Sequence, residues 1–484
     1  MTTLDHDLRS IQEVRTTLAA AKVAQKLYRT FTQEKIDAIV AQVAAAAEKA
    51  AEKLARMAHE ETGYGKWEDK IIKNTFASRK LHEHIKDMKT VGVVARHEQE
   101  KIIDIAVPVG VIAALIPSTN PTSTVIYKGL LALKTGNAIV FSPHPSARRC
   151  ITETVAILNQ AALAAGAPEG VVGCLSVLSL QGTNELMKHR DTSLILATGG
   201  EAMVKAAYSS GTPAIGVGPG NGPAFIERSA DIPLTVKRIL DSKTFDNGII
   251  CASEQSIIVE QDFKERIVAE FKRQGAYFLT AEESEKLGAF MLRGNGTINP
   301  VVVGKSPEKL AALAGFSIPA GSRVLISFQT TVSHKNPYSR EKLAPVLAFY
   351  EEQDWERACE RCIELLEGEG KGHTMTIHSN NEEIIMAFAL HKSVSRLLVN
   401  TPAALGGIGA TTNLQPALTL GCGAVGGSST SDNIGPFNLL NIRRLAYGVR
   451  ELEDLGAPAA AYPAGDQLEA IVKELLRQLK VQGG

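Results

Sequence analysis

The chain is poor in cysteine. Six residues, at 150, 174, 251, 359, 362 and 422, are spread over 484 positions. That is too sparse for a disulfide framework and fits a reducing compartment. Charge of either sign is not in excess: 52 Lys and Arg face 52 Asp and Glu. A neutral balance leaves no electrostatic footprint for nucleic acid or an anionic membrane. No apolar run reaches the ~18 residues of a membrane span, and the charged first residues contain no apolar signal core. These absences predict a cytoplasmic protein with neither a nucleic-acid nor a membrane partner. No internal repeat is evident. Cys359-x-x-Cys362 has no second pair beside it and lies on a predicted helix rich in Glu and Arg, so it reads as helix packing and no metal site is expected. No Gly-x-Gly-x-x-Gly follows the first predicted strand.

What is present is an α/β pattern long enough for two to four domains. Residues 5–90 read as helices, with Ile11, Val14 and Leu18 at helical spacing and an alanine-rich run from Ala38 to Ala58. Segments 91–96 and 101–107 read as a hairpin. From Val111–Ile116, an unbroken apolar run of the kind buried on both faces, short strands alternate with helices. Strands are expected at 111–116, 138–142, 173–177, 193–197, 213–217 and 223–226. Such alternation argues for a parallel sheet covered by helices, with ligands at the carboxyl ends of its strands. The second half repeats the style, with strands at 255–260, 300–303, 323–327, 346–350, 374–378 and 394–399. Residues 403–436 are glycine-rich and are expected to loop over a site; Leu439–Leu445 reads as an edge strand for another subunit.

Between a predicted helix ending at Ser242 and a strand starting at Gln255 lies Lys243-Thr244-Phe245-Asp246-Asn247-Gly248-Ile249-Ile250-Cys251. A thiol on a short loop between two rigid elements suits a nucleophile, whose reactivity needs position and a lowered pKa. This loop resembles the nucleophile loop of the aldehyde dehydrogenase superfamily, and more narrowly its coenzyme A-acylating branch. Four further stretches fall in that family's order: Ile116-Pro117-Ser118-Thr119-Asn120-Pro121-Thr122, Phe141-Ser142-Pro143-His144-Pro145, Thr198-Gly199-Gly200 with Gly216-Val217-Gly218-Pro219-Gly220-Asn221, and Glu341-Lys342-Leu343-Ala344-Pro345.

The resemblance implies an α/β fold with two Rossmann-like domains and a small β oligomerisation element. The expected division is a dinucleotide-binding domain at 1–235 (with the hairpin near 91–108), a catalytic domain at 236–430 and a return segment at 431–455. It implies reversible oxidation of acetaldehyde or propionaldehyde with NAD and coenzyme A, through a thioester on Cys251. Asn120 and the Cys251 backbone N–H would hold the oxyanion; as a residue before Pro121, Asn120 also reads as a helix N-cap. Ser142, Pro143 and His144 would face the adenosine, Thr198, Gly199, Gly200 and Gly218 the phosphates and nicotinamide, and Glu341 the nicotinamide ribose. Hydrolytic relatives carry a glutamate base where Gly216 stands; its loss argues that coenzyme A, not water, takes the acyl group. Alternatives are a hydrolytic enzyme yielding the free acid, an acylating semialdehyde dehydrogenase, and an inactive cargo or scaffold protein. A homo-oligomer, dimer or tetramer, is expected.

The tail differs. Residues 456–465 read as a Pro/Ala/Gly linker. After it, Leu468, Ile471, Val472, Leu475, Leu476 and Leu479 make one apolar stripe on a helix at 466–481 that Asp466 would cap. It resembles the short helices that load such enzymes into bacterial microcompartments. Shell proteins are therefore the expected partner, with docking on the enzyme's own body as the alternative.

Overall fold

The computed structural model describes residues 5–455 and 465–481. It divides into two units: the larger takes in Ala106–Asn441 and the chain up to Gly92, the smaller Val93–Ile105 and the chain from Ile442 onward. Strands β1 (Gly92–His97) and β2 (Ile102–Pro108) come first and belong with the smaller unit.

The larger unit holds two parallel sheets. The first contains β3 (Val111–Leu115), β4 (Ala138–Ser142), β5 (Val172–Cys174), β6 (Thr192–Thr198) and β7 (Ala214–Val217), in the spatial order β5-β4-β3-β6-β7. Every residue of β3 and β4 is buried, because helices cover both faces; this is why those stretches do not alternate. His6–Tyr28 lays Val14, Leu18, Ala21 and Tyr28 into that core. The alanine-rich run makes two helices, Gln33–Lys49 and Ala51–Thr62, and left-handed Gly63 ends the second. The order reverses between β3 and β6, so the crevice at their carboxyl ends is the switch point where such sheets bind ligands. Asn120 follows β3 and Thr198-Gly199-Gly200 follows β6.

The second sheet contains β8 (Gly222–Ile226), β9 (Glu254–Glu260), β10 (Ala276–Phe278), β11 (Val324–Phe328), β12 (Val346–Glu352), β13 (Gly372–His378) and β14 (Val394–Val399). Its order is β10-β11-β12-β9-β8-β13-β14. Strand β8, which the sequence reading assigned to a first domain ending at 235, pairs here with β9 and β13. The change of sheet therefore falls in the loop between Val217 and Gly222. Hydrophobic pattern alone does not tell which sheet a buried strand joins. Pro300–Val302, expected as a strand, is a single 3-10 turn, with Pro300 at its first position and Asn299 capping it. Strand β10 and the helix Pro307–Ala314 are short elements that the pattern did not separate from loop.

In the smaller unit, β15 (Leu440–Ala446) lies beside β2 in a three-stranded sheet ordered β1-β2-β15. The segment read as an edge strand is the edge strand of this sheet, pairing with β2 on one side, and its residues from Asn441 to Ala446 stay exposed. The predicted linker lies outside the described residues, apart from Gly465, which opens the tail helix Gly465–Val481. On it Ile471, Val472, Leu475 and Leu476 are each about half exposed, at 52, 47, 54 and 55 %. Among the described residues no helix is long and apolar enough to cross a membrane.

Candidate active site

The loop before β9 has unusual backbone geometry. Asp246, Asn247 and Gly248 are three consecutive left-handed residues, at φ of 50, 52 and 77°. For the two that are not glycine this conformation costs about 1–2 kcal/mol each. What holds them is a buried polar clamp from the N-terminal helices. The Asp246 carboxylate accepts from Lys70 Nζ at 2.9 Å and Lys73 Nζ at 2.6 Å through Oδ2, and from the Lys66 backbone N–H at 2.7 Å through Oδ1. The Asp246 N–H donates to Asp69 Oδ2 at 2.7 Å, and Asn247 Nδ2 donates to the Gly304 carbonyl at 3.0 Å. Burial pushes the Asp246 carboxyl up, but Lys73 and Lys70 outweigh it and hold it below the usual carboxylate range. Burial pulls Lys73 down to about 8, with Asp246 opposing. Gly65 is required here, since a Cβ on it would lie 1.8 Å from Asp246 Oδ1.

The clamp delivers Cys251 to one cavity. Of the predicted site residues, Cys251, Asn120, His144, Thr198, Gly199, Gly200, Gly218 and Glu341 all line it. Ser142 and Pro143 do not: both are buried at the end of β4, where the Ser142 carbonyl accepts from Ile116 N–H at 3.2 Å. His144 is exposed at the rim and its Nδ1 accepts from the Ser146 N–H at 3.2 Å. The first sheet contributes carboxyl-end loops to this cavity, as expected. The second contributes residues ahead of its amino ends, Cys251 before β9 and Glu341 before β12. Among the described residues no cluster of His, Cys, Asp and Glu is arranged to hold a metal.

Asn120 occupies the N-cap position of Pro121–Lys134, but its side chain makes no cap bond. Its Oδ1 accepts from Lys73 Nζ at 2.7 Å and its Nδ2 donates to the Ile249 carbonyl at 3.2 Å. The amide is therefore turned toward the cysteine loop. Cys251 corrects one expectation. Its thiol is pushed up to about 12 by burial first and by Glu341 and Cys422 next, with Arg396 pulling the other way. A lowered pKa was expected, but the cavity's apolar walls outweigh the one cation that opposes them. Burial also raises Glu341, to about 8, although the Gly220 N–H donates to its Oε1 at 3.0 Å.

Gly220 was quoted within a motif but not as a site residue. A Cβ there would sit 1.9 Å from the Cys251 carbonyl oxygen, so only glycine lets the two loops touch. Lys73 was missed altogether, and Asp246 was quoted in the cysteine loop without a role; a Lys-x-x-Lys spacing on a surface-like helix carries no signal of a partner some 170 residues away. Position 216 also reads differently in three dimensions. A Cβ there points at Val204 Cγ1, 2.7 Å away, and at the Tyr208 ring, 3.1 Å away, rather than into the cavity. Among the described residues lining the cavity, Glu341 is the only carboxylate. Glu254 lies outside it and accepts from the Ala403 N–H at 2.9 Å, a contact that ties down the glycine-rich segment. Cys359 and Cys362 lie on Trp355–Gly368, where Cys362 packs in the core and Cys359 contacts Lys392 Nζ.

Comparison with known proteins agrees with the fold. The model of the aldehyde dehydrogenase family matches residues 6–290. The chain is 45% identical over 442 residues to the bifunctional aldehyde-alcohol dehydrogenase AdhE of Escherichia coli (strain K12), covering 90% of this chain and 50% of that protein. It is 36% identical over 442 residues to a succinate-semialdehyde dehydrogenase (acetylating) of Clostridium kluyveri, covering 91% and 96%. The chain spans about half the length of the first curated relatives it matches. Among solved structures, a probable aldehyde dehydrogenase of Listeria monocytogenes EGD-e matches with a TM-score of 0.93 at 63% identity, over 93% of this chain and 100% of that one. A propionaldehyde dehydrogenase from the Clostridium phytofermentans fucose utilisation bacterial microcompartment matches with a TM-score of 0.82 at 27% identity, over 90% and 97%. A Rhodopseudomonas palustris propionaldehyde dehydrogenase with bound CoA and an acylated cysteine matches with a TM-score of 0.81 at 28% identity, over 90% and 97%.

Proposed function

This chain belongs to the aldehyde dehydrogenase family, and we propose that it oxidises a short aliphatic aldehyde with NAD and coenzyme A to the acyl-CoA, reversibly, through a thioester on Cys251. The observation that carries this reading is one cavity holding a cysteine, an asparagine amide, the open start of a helix and a single carboxylate. Cys251 Sγ adds to the aldehyde carbonyl, its thiol proton, which burial keeps on in the free enzyme, passing to solvent as the C–S bond forms. The oxyanion that forms takes hydrogen bonds from Asn120 Nδ2, which gives Ile249 only one of its two hydrogens, and from the Cys251 backbone N–H.

The residues present fit a dinucleotide. A Cβ on Gly200 would meet nothing within 4 Å, so the backbone at the start of Glu201–Tyr208 is bare toward the cavity, as a pyrophosphate requires. Thr198, Gly199 and Gly200 would hold the phosphates, Glu341 the nicotinamide ribose and His144 the adenosine side; NAD bound there supplies the hydride acceptor. A Cβ on Gly218 would meet only the Gly426 carbonyl oxygen, at 4.0 Å, so this part of the lining is also open. The acyl group is left on Cys251 as a thioester. Position 216 faces Val204 and Tyr208, and burial keeps Glu341 protonated up to about pH 8, so no ionised carboxylate in the cavity stands ready to activate water at neutral pH. Coenzyme A brings its own nucleophile, and thiol–thioester exchange regenerates Cys251.

The test is NADH formation from propionaldehyde, with and without coenzyme A, on the wild type and Cys251→Ala. Sustained turnover only with coenzyme A, lost by at least about 10⁴-fold in the variant, is the expected result. Equal turnover without coenzyme A would mean that water reaches the thioester, and the acylating reading would fall. The adenosine of coenzyme A is expected to use the NAD pocket in turn; saturating NAD should then compete with it. The apolar side chains exposed on Gly465–Val481 support docking of the tail on microcompartment shell proteins in the cytoplasm, and the exposed strand β15 supports a dimer or tetramer. Deleting residues 457–484 without changing co-localisation with shell proteins would refute the first, and a monomer by light scattering the second.

A further inference from the structure

Lys73 is 2 % exposed on the helix Trp67–Thr75, distant in sequence from both Asn120 and Cys251, and it lines their cavity. An ammonium has three hydrogens and no lone pair. Lys73 uses one on Asn120 Oδ1 at 2.7 Å, one on Asp246 Oδ2 at 2.6 Å and one on the Ile249 carbonyl at 2.9 Å. A single group thus joins the asparagine after β3 to two residues of the cysteine loop. Its donor-only chemistry constrains the amide. The Asn120 atom that faces Lys73 must be the oxygen, so the nitrogen is forced to the opposite side. There it gives one hydrogen to Ile249 O and keeps the other for the cavity. Lys70 makes no such contact. Its Nζ reaches Asp246 Oδ2 at 2.9 Å and the Thr119 carbonyl at 3.4 Å, but not the Asn120 side chain.

We propose that Lys73 is a positioning residue that locks the Asn120 amide in the orientation offering N–H to the substrate oxygen, while pinning the Ile249 carbonyl beside it. Without Lys73 the amide is held upright only by its 3.2 Å bond to the Ile249 carbonyl, and it turns over more readily. The flipped form presents an oxygen lone pair to the developing oxyanion, which is repulsive where the upright form is attractive. The inference rests on the aldehyde-oxidising reading of the cavity. Lys73→Met leaves Asp246 paired with Lys70, so the buried carboxylate keeps a counter-charge and the variant is expected to fold.

The experiment is the single-turnover burst of NADH from propionaldehyde and NAD, measured on the wild type, Lys73→Met, Asn120→Ala and the double variant, with folding checked by circular dichroism. Each single variant is expected to lower the burst rate by about 10²-fold, with the KM for coenzyme A unchanged. The double variant is expected to be no slower than Asn120→Ala alone, because Lys73 acts through that amide. Lys73→Gln, which still has an N–H to give Oδ1, is expected to recover part of the rate; if Lys73→Met does not fold, Lys73→Gln in both backgrounds carries the same comparison. Losses that multiply in the double variant would place the effect of Lys73 elsewhere and overturn the inference alone. A wild type without a burst would overturn the reading beneath it as well.

Discussion

Two loops line the same cavity and are built in opposite ways. Asp246–Cys251 carries consecutive left-handed residues and is gripped by Lys66, Lys70, Lys73, Asp69 and Gly304. Thr198–Gly200 has no comparable grip; a Cβ on Gly199 would meet only Met203, at 3.6 Å, and one on Gly200 nothing. On the proposed function the difference follows from what each loop would do. A nucleophile misplaced by 1 Å loses about 10²-fold in rate, so its backbone is over-determined by buried charge. A bound phosphate needs only room and unpaired N–H groups, so its loop is kept bare.

The most disruptive way to break this contrast is Asp246→Asn. It leaves the Lys70 and Lys73 ammonium groups buried without their shared anion, and a loss of about 3–5 kcal/mol is expected by urea unfolding. A loss under about 1 kcal/mol would mean that charge does not hold the loop. Gly220→Ala comes next. It pushes on the Cys251 carbonyl from 1.9 Å, and the burst rate is expected to fall about 10²-fold while NAD binding, followed by fluorescence titration, changes little.

Glu341, bonded to Gly220, provides a sharper measurement on the same side of the cavity. In the folded chain burial keeps its proton on up to about pH 8, against an ordinary value of 4.5. The folded state thus binds a proton that the unfolded state releases, so this group's contribution to stability declines as pH rises through that window and levels off above it. Glu341→Gln is expected to gain stability relative to the wild type progressively across the same window, and a pH-independent difference would refute the assignment. The smallest effect belongs to the open loop. Gly200→Ala is expected to leave unfolding within about 0.5 kcal/mol of wild type and to raise the KM for NAD by about tenfold, ~1.4 kcal/mol.

Much of the cavity was legible because its pieces are local. Cys251 on a short loop before a strand, Asn120 before Pro121 and Thr198-Gly199-Gly200 at a strand-to-helix turn each show themselves within a few residues, and parallel strands such as Val111–Leu115 show themselves as unbroken apolar runs. Other features have no local signature. Lys70 and Lys73 look like ordinary helix-surface charges, and only folding buries them against Asp246. Ser142 ends a strand as expected, but only the fold buries it and Pro143 away from the cavity. Gly216 looks like an absent carboxylate in sequence, whereas in space its missing side chain would collide with Val204 and Tyr208. Strand β8 reads like its predecessors, and its membership of the second sheet depends on pairing with β9 and β13.

The sequence by itself determined the alternation of strands and helices, the residue types of the candidate site and their order along the chain, because period, turn chemistry and short motifs act over a few residues. The tertiary structure decided which sheet each strand joins, which glycines are obligatory, how far Cys251 and Glu341 are displaced from their ordinary acidity, and which way the Asn120 amide faces. Those properties depend on burial and on contacts between residues far apart in the chain, and neither exists until the two sheets close around the cavity.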